Sequence, residues 1–244
     1  MAICLDSFTA PMRVALIGAS GGIGSAFAEL LYGHARVGKL YNFARKAELS
    51  SHAPLYLEDE STIASAARQV SEDGTLDLVL VATGLLHDGT DLMPEKSFRS
   101  LDVGALERLY CVNAIGPALI AKHFLPLLAR DRKTVFAALG ARVGSIGDNR
   151  LGGWYGYRMS KAALAMLVRT LAIEMVRRNP EAVCVALHPG TVDTCLSQPF
   201  QRSVADEKLA TPELAAANLL QVIDGASLRQ TGHHLAWDGS RVPY

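Results

Sequence analysis

The chain has 244 residues, 24 Lys plus Arg against 24 Asp plus Glu, and half of its residues are apolar. Zero net charge and a pI near 7.1 remove the basic surplus that nucleic acid or an anionic membrane surface would select. A chain of this length buries roughly 70% of its unfolded surface without disulfide staples. Cys4, Cys111, Cys184 and Cys195 are scattered with no CxxC spacing, which reads as free thiols in a reducing compartment and not as a zinc site.

The first residues, MAICLDSFTAPMR, lack a basic start followed by a long apolar stretch, so no signal peptide is expected. The longest apolar run, around CVNAIGPALIAKHFLPLLA, is interrupted by Lys122 and His123 and falls short of the roughly 20 residues that span a bilayer. A cytoplasmic protein is expected. Short apolar runs then alternate with stretches of helical period. The predicted strands are 13–17, 39–44, 55–57, 76–82, 134–139, 182–188 and 233–236, and the predicted helices 22–32, 61–71, 102–129, 154–178 and 212–224. In the first helix Ile23, Phe27, Leu30 and Leu31 form one stripe, the spacing of a helix laid on a sheet. Thr211 ahead of Pro212 and Glu213 is a helix start. Such alternation predicts an α/β, doubly wound, seven-stranded parallel sheet of Rossmann type with helices on both faces. No repeat or linker divides the chain, so one domain over 1–244 is expected. Segments 83–101, 141–153 and 193–210 read as loops, and loops at the carboxyl ends of parallel strands are where ligands bind.

The stretch from Val14 to Gly24, VALIGASGGIG, runs from an apolar strand straight into a helix. Gly18, Gly22 and Gly24 permit a tight turn and close backbone approach, while Ser20, Ile23 and the helix N-terminus present N–H groups to an anion, so a dinucleotide pyrophosphate is the expected occupant. At the end of the second strand, Tyr41-Asn-Phe-Ala-Arg45-Lys46, there is no acid to bind a ribose. Arg45 suits a 2′-phosphate bidentately, which predicts NADP(H), with NAD(H) possible. Tyr157 and Lys161 lie four residues apart near the start of a predicted helix and share a face. A phenol of pKa about 10 donates a proton slowly near neutrality unless its phenolate is stabilised, and an adjacent ammonium does that. The pair is therefore a candidate general acid with its helper, although Tyr-x-x-x-Lys by itself is common on helix surfaces.

The glycine turn, Val112-Asn113-Ala-Ile-Gly116, Tyr157-x-x-x-Lys161 and His188-Pro189-Gly190-Thr-Val192-Asp-Thr194 occur in the order found in the short-chain dehydrogenase/reductase family, which the chain resembles over nearly its whole length. Residues 143–161 look most like the carbonyl-reductase-like branch that includes the C-factor and sniffer proteins. The resemblance implies an NADP(H)-dependent oxidoreductase acting on a small carbonyl or alcohol, and a homodimer or homotetramer. It implies Tyr157 as the acid, Lys161 as ribose and phenolate partner, and Asn113 as the residue that kinks its helix and holds a relay water. It also implies Ala82, Thr83 and Gly84 beside the adenine ribose, with Pro189, Gly190, Val192 and Thr194 closing over the nicotinamide and phosphates.

The pattern breaks at one position. Where the family places a catalytic Ser at the end of the fifth strand, this chain has Ala141. Losing such a donor typically costs about 10²–10³ in rate; Ser145, four residues on, is the candidate substitute. Ile17 and Tyr56 also depart from the family, at a turn hydroxyl and at an adenine-contacting acid. Two readings follow: an NADP(H)-dependent reductase, or a dinucleotide-binding regulatory protein that kept the fold and lost efficient chemistry.

Overall fold

The computed structural model describes residues 3–45, 52–203 and 205–244; Lys46 lies outside them. In chain order it contains β1 (Met12–Ile17), α1 (Gly22–Leu31), β2 (Val37–Ala44), β3 (His52–Pro54), α2 (Glu60–Glu72), β4 (Leu78–Val81), α3 (Val103–Tyr110) and α4 (Gly116–Phe124). There follow β5 (Thr134–Leu139), α5 (Tyr155–Arg178), β6 (Ala182–His188), β7 (Thr191–Val192), β8 (Leu209–Ala210), α6 (Pro212–Gly225) and β9 (His234–Ala236). Seven strands pair in parallel in the order β3-β2-β1-β4-β5-β6-β9, and β7 with β8 forms a separate ribbon. This is the doubly wound, Rossmann-type sheet expected from the alternating pattern.

The strands read as unbroken apolar runs because both faces are covered. In β4, Val79 and Val81 point to the layer with α2, α4 and α5, while Leu78 and Leu80 point to the layer with α1 and α6. Each such fully buried side chain contributes about 1.5–3 kcal/mol. Strand order reverses between β1 and β4, and a crevice opens above the carboxyl ends of the strands at that point. At one edge of the sheet β3 has three residues. At the other, the chain after β9 folds back: Ala236 N–H donates to Ser240 O at 2.8 Å and Val242 N–H to His234 O at 2.8 Å.

The ribbon of β7 and β8 was not expected, its second strand falling in the segment 193–210 read as a loop, and two further elements differ from the sequence expectation. The third strand is His52–Pro54 rather than 55–57; Leu55 still donates its N–H to Ala44 O at 3.0 Å, but the chain then leaves the sheet, and Leu55 and Leu57 are buried in the connection that follows. The helix expected over 102–129 does begin where Asp102 caps it, its carboxylate accepting from Ala105 N–H at 2.9 Å. It is then interrupted by a π-helical turn at Cys111–Ile115 and ends in a 3₁₀ turn at Leu125–Leu127. Pro117 is the physical cause: it has no N–H to offer the carbonyl of Asn113, so the α-helical ladder cannot run through. Among the described residues no helix is long and apolar enough to cross a membrane.

Candidate active site

At the end of β1 the chain turns through Gly18, whose φ is +92° and whose Cβ, were there one, would stand 3.0 Å from the Ala82 carbonyl and from the Thr83 methyl group. A Cβ on Gly24 would sit 1.9 Å from Gly18 O, so only glycine lets α1 start this close to the turn. Gly21 caps α1 without a side-chain hydrogen bond, which leaves the first-turn N–H groups aimed outward. Thr194 reaches over from the far side, its Cγ2 2.5 Å from where a Gly22 Cβ would be. Ile23 packs against the core beneath this turn. A cleft of about 670 Å³ opens above it, with Gly18, Ser20, Ala82, Thr83 and Gly84 on its floor and Arg45, Leu57 and Glu58 at the β2–β3 end. Thr83 Oγ1 is buried with no partner among the described residues. Outward-facing N–H groups, a cradle that a Cβ would fill and an unpaired hydroxyl fit a bound phosphate-linked nucleoside.

The same cleft leads to the first turns of α5. Tyr157 and Lys161 are both buried there, at 7% and 3% exposure. Lys161 Nζ donates to Leu139 O at 2.7 Å and stands 5.8 Å from the centre of the Tyr157 ring. With one of three ammonium donors engaged, two remain for a ligand. Burial holds the Tyr157 phenol well above its ordinary pKa and lowers Lys161 to about 8. A Cβ on Gly84 would be 3.8 Å from both Lys161 Nζ and Asn113 Oδ1, so Gly84 joins the cleft floor to this pair.

Asn113 sits in the π-helical turn and is fully buried. Its Oδ1 accepts from Leu85 N–H at 2.8 Å, and its Nδ2 donates to Leu85 O at 2.8 Å and to Ser160 Oγ at 3.0 Å. Ser160 in turn donates to Tyr157 O at 2.9 Å. One amide thus ties the loop after β4 to the helix that carries Tyr157. Ser160 escaped the sequence reading; the signal available was a serine directly before Lys161, on the Asn113 side of the helix.

Around Tyr157 lies an apolar cluster of Leu86, Leu92 and Leu109, with Ala141, Val143, Leu196 and Phe200 packed against it. The Trp154 ring is 6.4 Å from Tyr157 and 4.9 Å from Phe200. Ala141 presents a methyl group to this cluster. Ser145 is buried; its Oγ accepts from Asp148 N–H at 3.1 Å, and it lines a second cavity of about 240 Å³ with Gly144, His234 and Tyr244, to which Tyr157 does not contribute. After β6, Gly190 has φ +83° and lies against Trp237. It follows Pro189 and leads into the ribbon strand that buries Val192.

Comparisons with known proteins agree with this geometry. A family model described as short chain dehydrogenase matches residues 13–205. The 1-hydroxy-2-glutathionyl-2-methyl-3-butene dehydrogenase of Rhodococcus sp. is 33% identical over 181 residues, 74% of this chain and 74% of that protein. The C-signal protein of Myxococcus xanthus is 35% identical over 145 residues, 59% of this chain and 81% of its own length. In fold, the NADPH-bound carbonyl reductase from chicken fatty liver superposes with a TM-score of 0.84 at 24% identity, covering 97% of this chain and all of the other. The Sniffer carbonyl reductase of D. melanogaster gives 0.82 at 19% identity with the same coverage. The chain therefore belongs to the short-chain dehydrogenase family, the NAD(P)-dependent oxidoreductases built on this sheet.

Proposed function

We propose that the protein reduces a small apolar carbonyl compound, or oxidises the matching alcohol, with NADP(H). The observation that carries this reading is the convergence of Lys161 Nζ and Asn113 Oδ1 on Gly84, with the Tyr157 ring 5.8 Å from that ammonium, beside a cleft that Arg45 also lines. In this reading Gly18, Ser20, Gly22, Ile23 and Gly24 hold the pyrophosphate on the α1 N-terminus. Arg45 pairs with a 2′-phosphate, and Ala82, Thr83 and Gly84 line the riboses. Pro189, Gly190, Val192 and Thr194 form the opposite wall at the nicotinamide end. When bound, the cofactor supplies the hydride.

The chain's own part is proton handling. Tyr157 Oη donates a proton to the substrate oxygen as negative charge builds there, and the charged Lys161 beside it stabilises the phenolate that results. Asn113 holds the Leu85 backbone and Ser160 in register for this. The surrounding Leu86, Leu92, Leu109, Trp154 and Phe200 exclude water and favour an apolar substrate. Ala141 supplies no hydrogen bond to the substrate oxygen, and since Ser145 lines the separate cavity with His234 and Tyr244, Tyr157 acts in this reading without a hydroxyl partner. The regulatory reading rests on Ala141 alone, whereas the other three functional groups are assembled.

The test follows NADPH absorbance against aldehydes, ketones and quinones, with cofactor Kd measured separately by fluorescence. Turnover by the wild type, its loss in Tyr157→Phe with NADPH binding retained, and a weaker NADPH Kd in Arg45→Ala are expected. Turnover that persists in Tyr157→Phe removes Tyr157 as the acid, and tighter binding of NADH than NADPH overturns the cofactor assignment.

A further inference from the structure

The three residues ahead of α5 are all left-handed: Gly152 at φ +63°, Gly153 at +64° and Trp154 at +53°. Glycine adopts that conformation freely, but a tryptophan in it persists only where its surroundings hold it there. Trp154 is also the N-cap of α5 and makes no side-chain hydrogen bond to the first turn. The helix that carries Tyr157 thus begins from a strained turn with no cap of its own.

The missing acceptors come from Glu95, in the loop between β4 and α3. Its carbonyl accepts from Trp154 N–H at 2.6 Å. Its carboxylate oxygens accept from Gly156 N–H at 3.2 and 3.3 Å, and the side chain is buried in a residue only 6% exposed. A carboxylate at a helix N-terminus is favoured by both the free N–H groups and the dipole. Gly156 gives this carboxylate room: a Cβ would lie 2.6 Å from Leu109 Cδ1 and 2.9 Å from Glu95 Oε1, so either side chain would have to shift. From the other side the guanidinium of Arg158 donates to Gly153 O at 2.9 Å, to Val143 O at 3.0 Å and to Gly152 O at 3.1 Å. The strained turn is therefore gripped by an acid from one segment and a base from the helix itself, and Tyr157 is the residue between Gly156 and Arg158.

We propose that Glu95 and Arg158 are positioning residues for the reaction. Glu95 sets the first turn of α5, Arg158 sets the turn that precedes it, and together they fix Tyr157 Oη relative to Lys161 and the cleft. Glu95 does this from the loop that also brings Leu86 and Leu92 to Tyr157, so the wall of the substrate pocket and the acid are held as one unit. This rests on Tyr157 being the proton donor, where a misplacement of about 1 Å can cost about 10²-fold in rate.

The experiment compares Glu95→Ala and Glu95→Gln with wild type in three measurements: kcat for a reduced carbonyl, Kd for NADPH, and amide hydrogen exchange of peptides covering the start of α5. Glu95→Ala is expected to lower kcat by about 10²-fold, to leave NADPH Kd within about twofold, and to lose exchange protection at Gly156, whose N–H loses its side-chain acceptor. Glu95→Gln keeps an acceptor oxygen and is expected to recover protection and most of kcat. An unchanged kcat or unchanged protection in Glu95→Ala overturns the proposal, as does a parallel loss of NADPH binding, or a Gln variant no better than Ala. Should Glu95→Ala not fold, Arg158→Met makes the same test from the opposite side, with kcat lowered at constant Kd expected and unchanged kcat refuting it. If no carbonyl is reduced by the wild type, the proposed activity fails while the exchange data still decide whether the clamp exists.

Discussion

The imidazole of His234 lies against the backbone of Gly140, so close that a Cβ there would stand 2.7 Å from Nε2. His234 comes from β9 at the sheet edge, and Gly140 directly follows β5, next to the Leu139 carbonyl that receives Lys161. The ring fills the volume that a side chain at position 140 would need.

Gly140→Ala should therefore destabilise the fold by about 1–3 kcal/mol, the usual cost of overpacking, measured as a lower midpoint in urea. His234→Ala in the same background should return part of that loss. Strictly additive effects of the two substitutions would show that the residues are not in contact.

Burial keeps two histidines beside the site neutral. His188 is lowered to about 4, by burial and then by Arg142; His234 is lowered to about 3, by burial and then by His188, Lys161 and Arg142. Above about pH 6.5 both are neutral in the folded and unfolded chain, so neither affects the balance. As pH falls below that, the unfolded chain takes up protons that the folded chain refuses, and stability drops by about 2 kcal/mol per histidine at pH 5. The melting temperature should fall between pH 7.5 and 5, and less steeply in His234→Phe. A flat profile would contradict buried neutral imidazoles.

Ala141 is packed against the cluster that surrounds Tyr157, and serine is nearly isosteric with it. Ala141→Ser should raise kcat for carbonyl reduction by about tenfold or more, since a single well-placed donor to a developing oxyanion is commonly worth about 10²–10³. No gain with a substrate that the wild type turns over would mean that the substrate oxygen does not approach this position.

Asn113→Ala leaves Leu85 N–H, Leu85 O and Ser160 Oγ without their shared partner. Each buried group left unpaired costs about 1–3 kcal/mol, so a lower urea midpoint and faster exchange of the Leu85 amide are expected. A variant as stable as wild type would show that water replaces the amide.

Much of this was legible in the sequence because it is local or periodic. The central strands β5 and β6 stand where their apolar runs placed them, and Thr211 caps α6, accepting from Leu214 N–H at 3.2 Å. The glycine turn and the Tyr157–Lys161 pair are adjacent in sequence as well as in space. The break in the helix after α3 is not what the pattern predicts, since the run of helix formers over 102–129 outweighs the one local signal, Pro117 with its missing N–H. The displacement of β3 was not legible, since Leu55 and Leu57 carry the same alternation whether they pair in a ladder or turn under the sheet edge. Glu95 and Gly156 are 61 positions apart, and no periodicity or composition connects them; His234 and Gly140 meet only because β6 separates their strands and a side chain crosses over it.

The two borders of the sheet bear on how copies of this chain can meet. An exposed strand border is a template on which another chain can add by main-chain pairing, the route to runaway aggregation. One border here offers only the three residues of β3, and the other is capped by the return of the chain from Ser240 to Val242 onto β9. Among the described residues neither side presents a long run of unpaired strand, so addition of another chain by main-chain pairing is disfavoured at both borders.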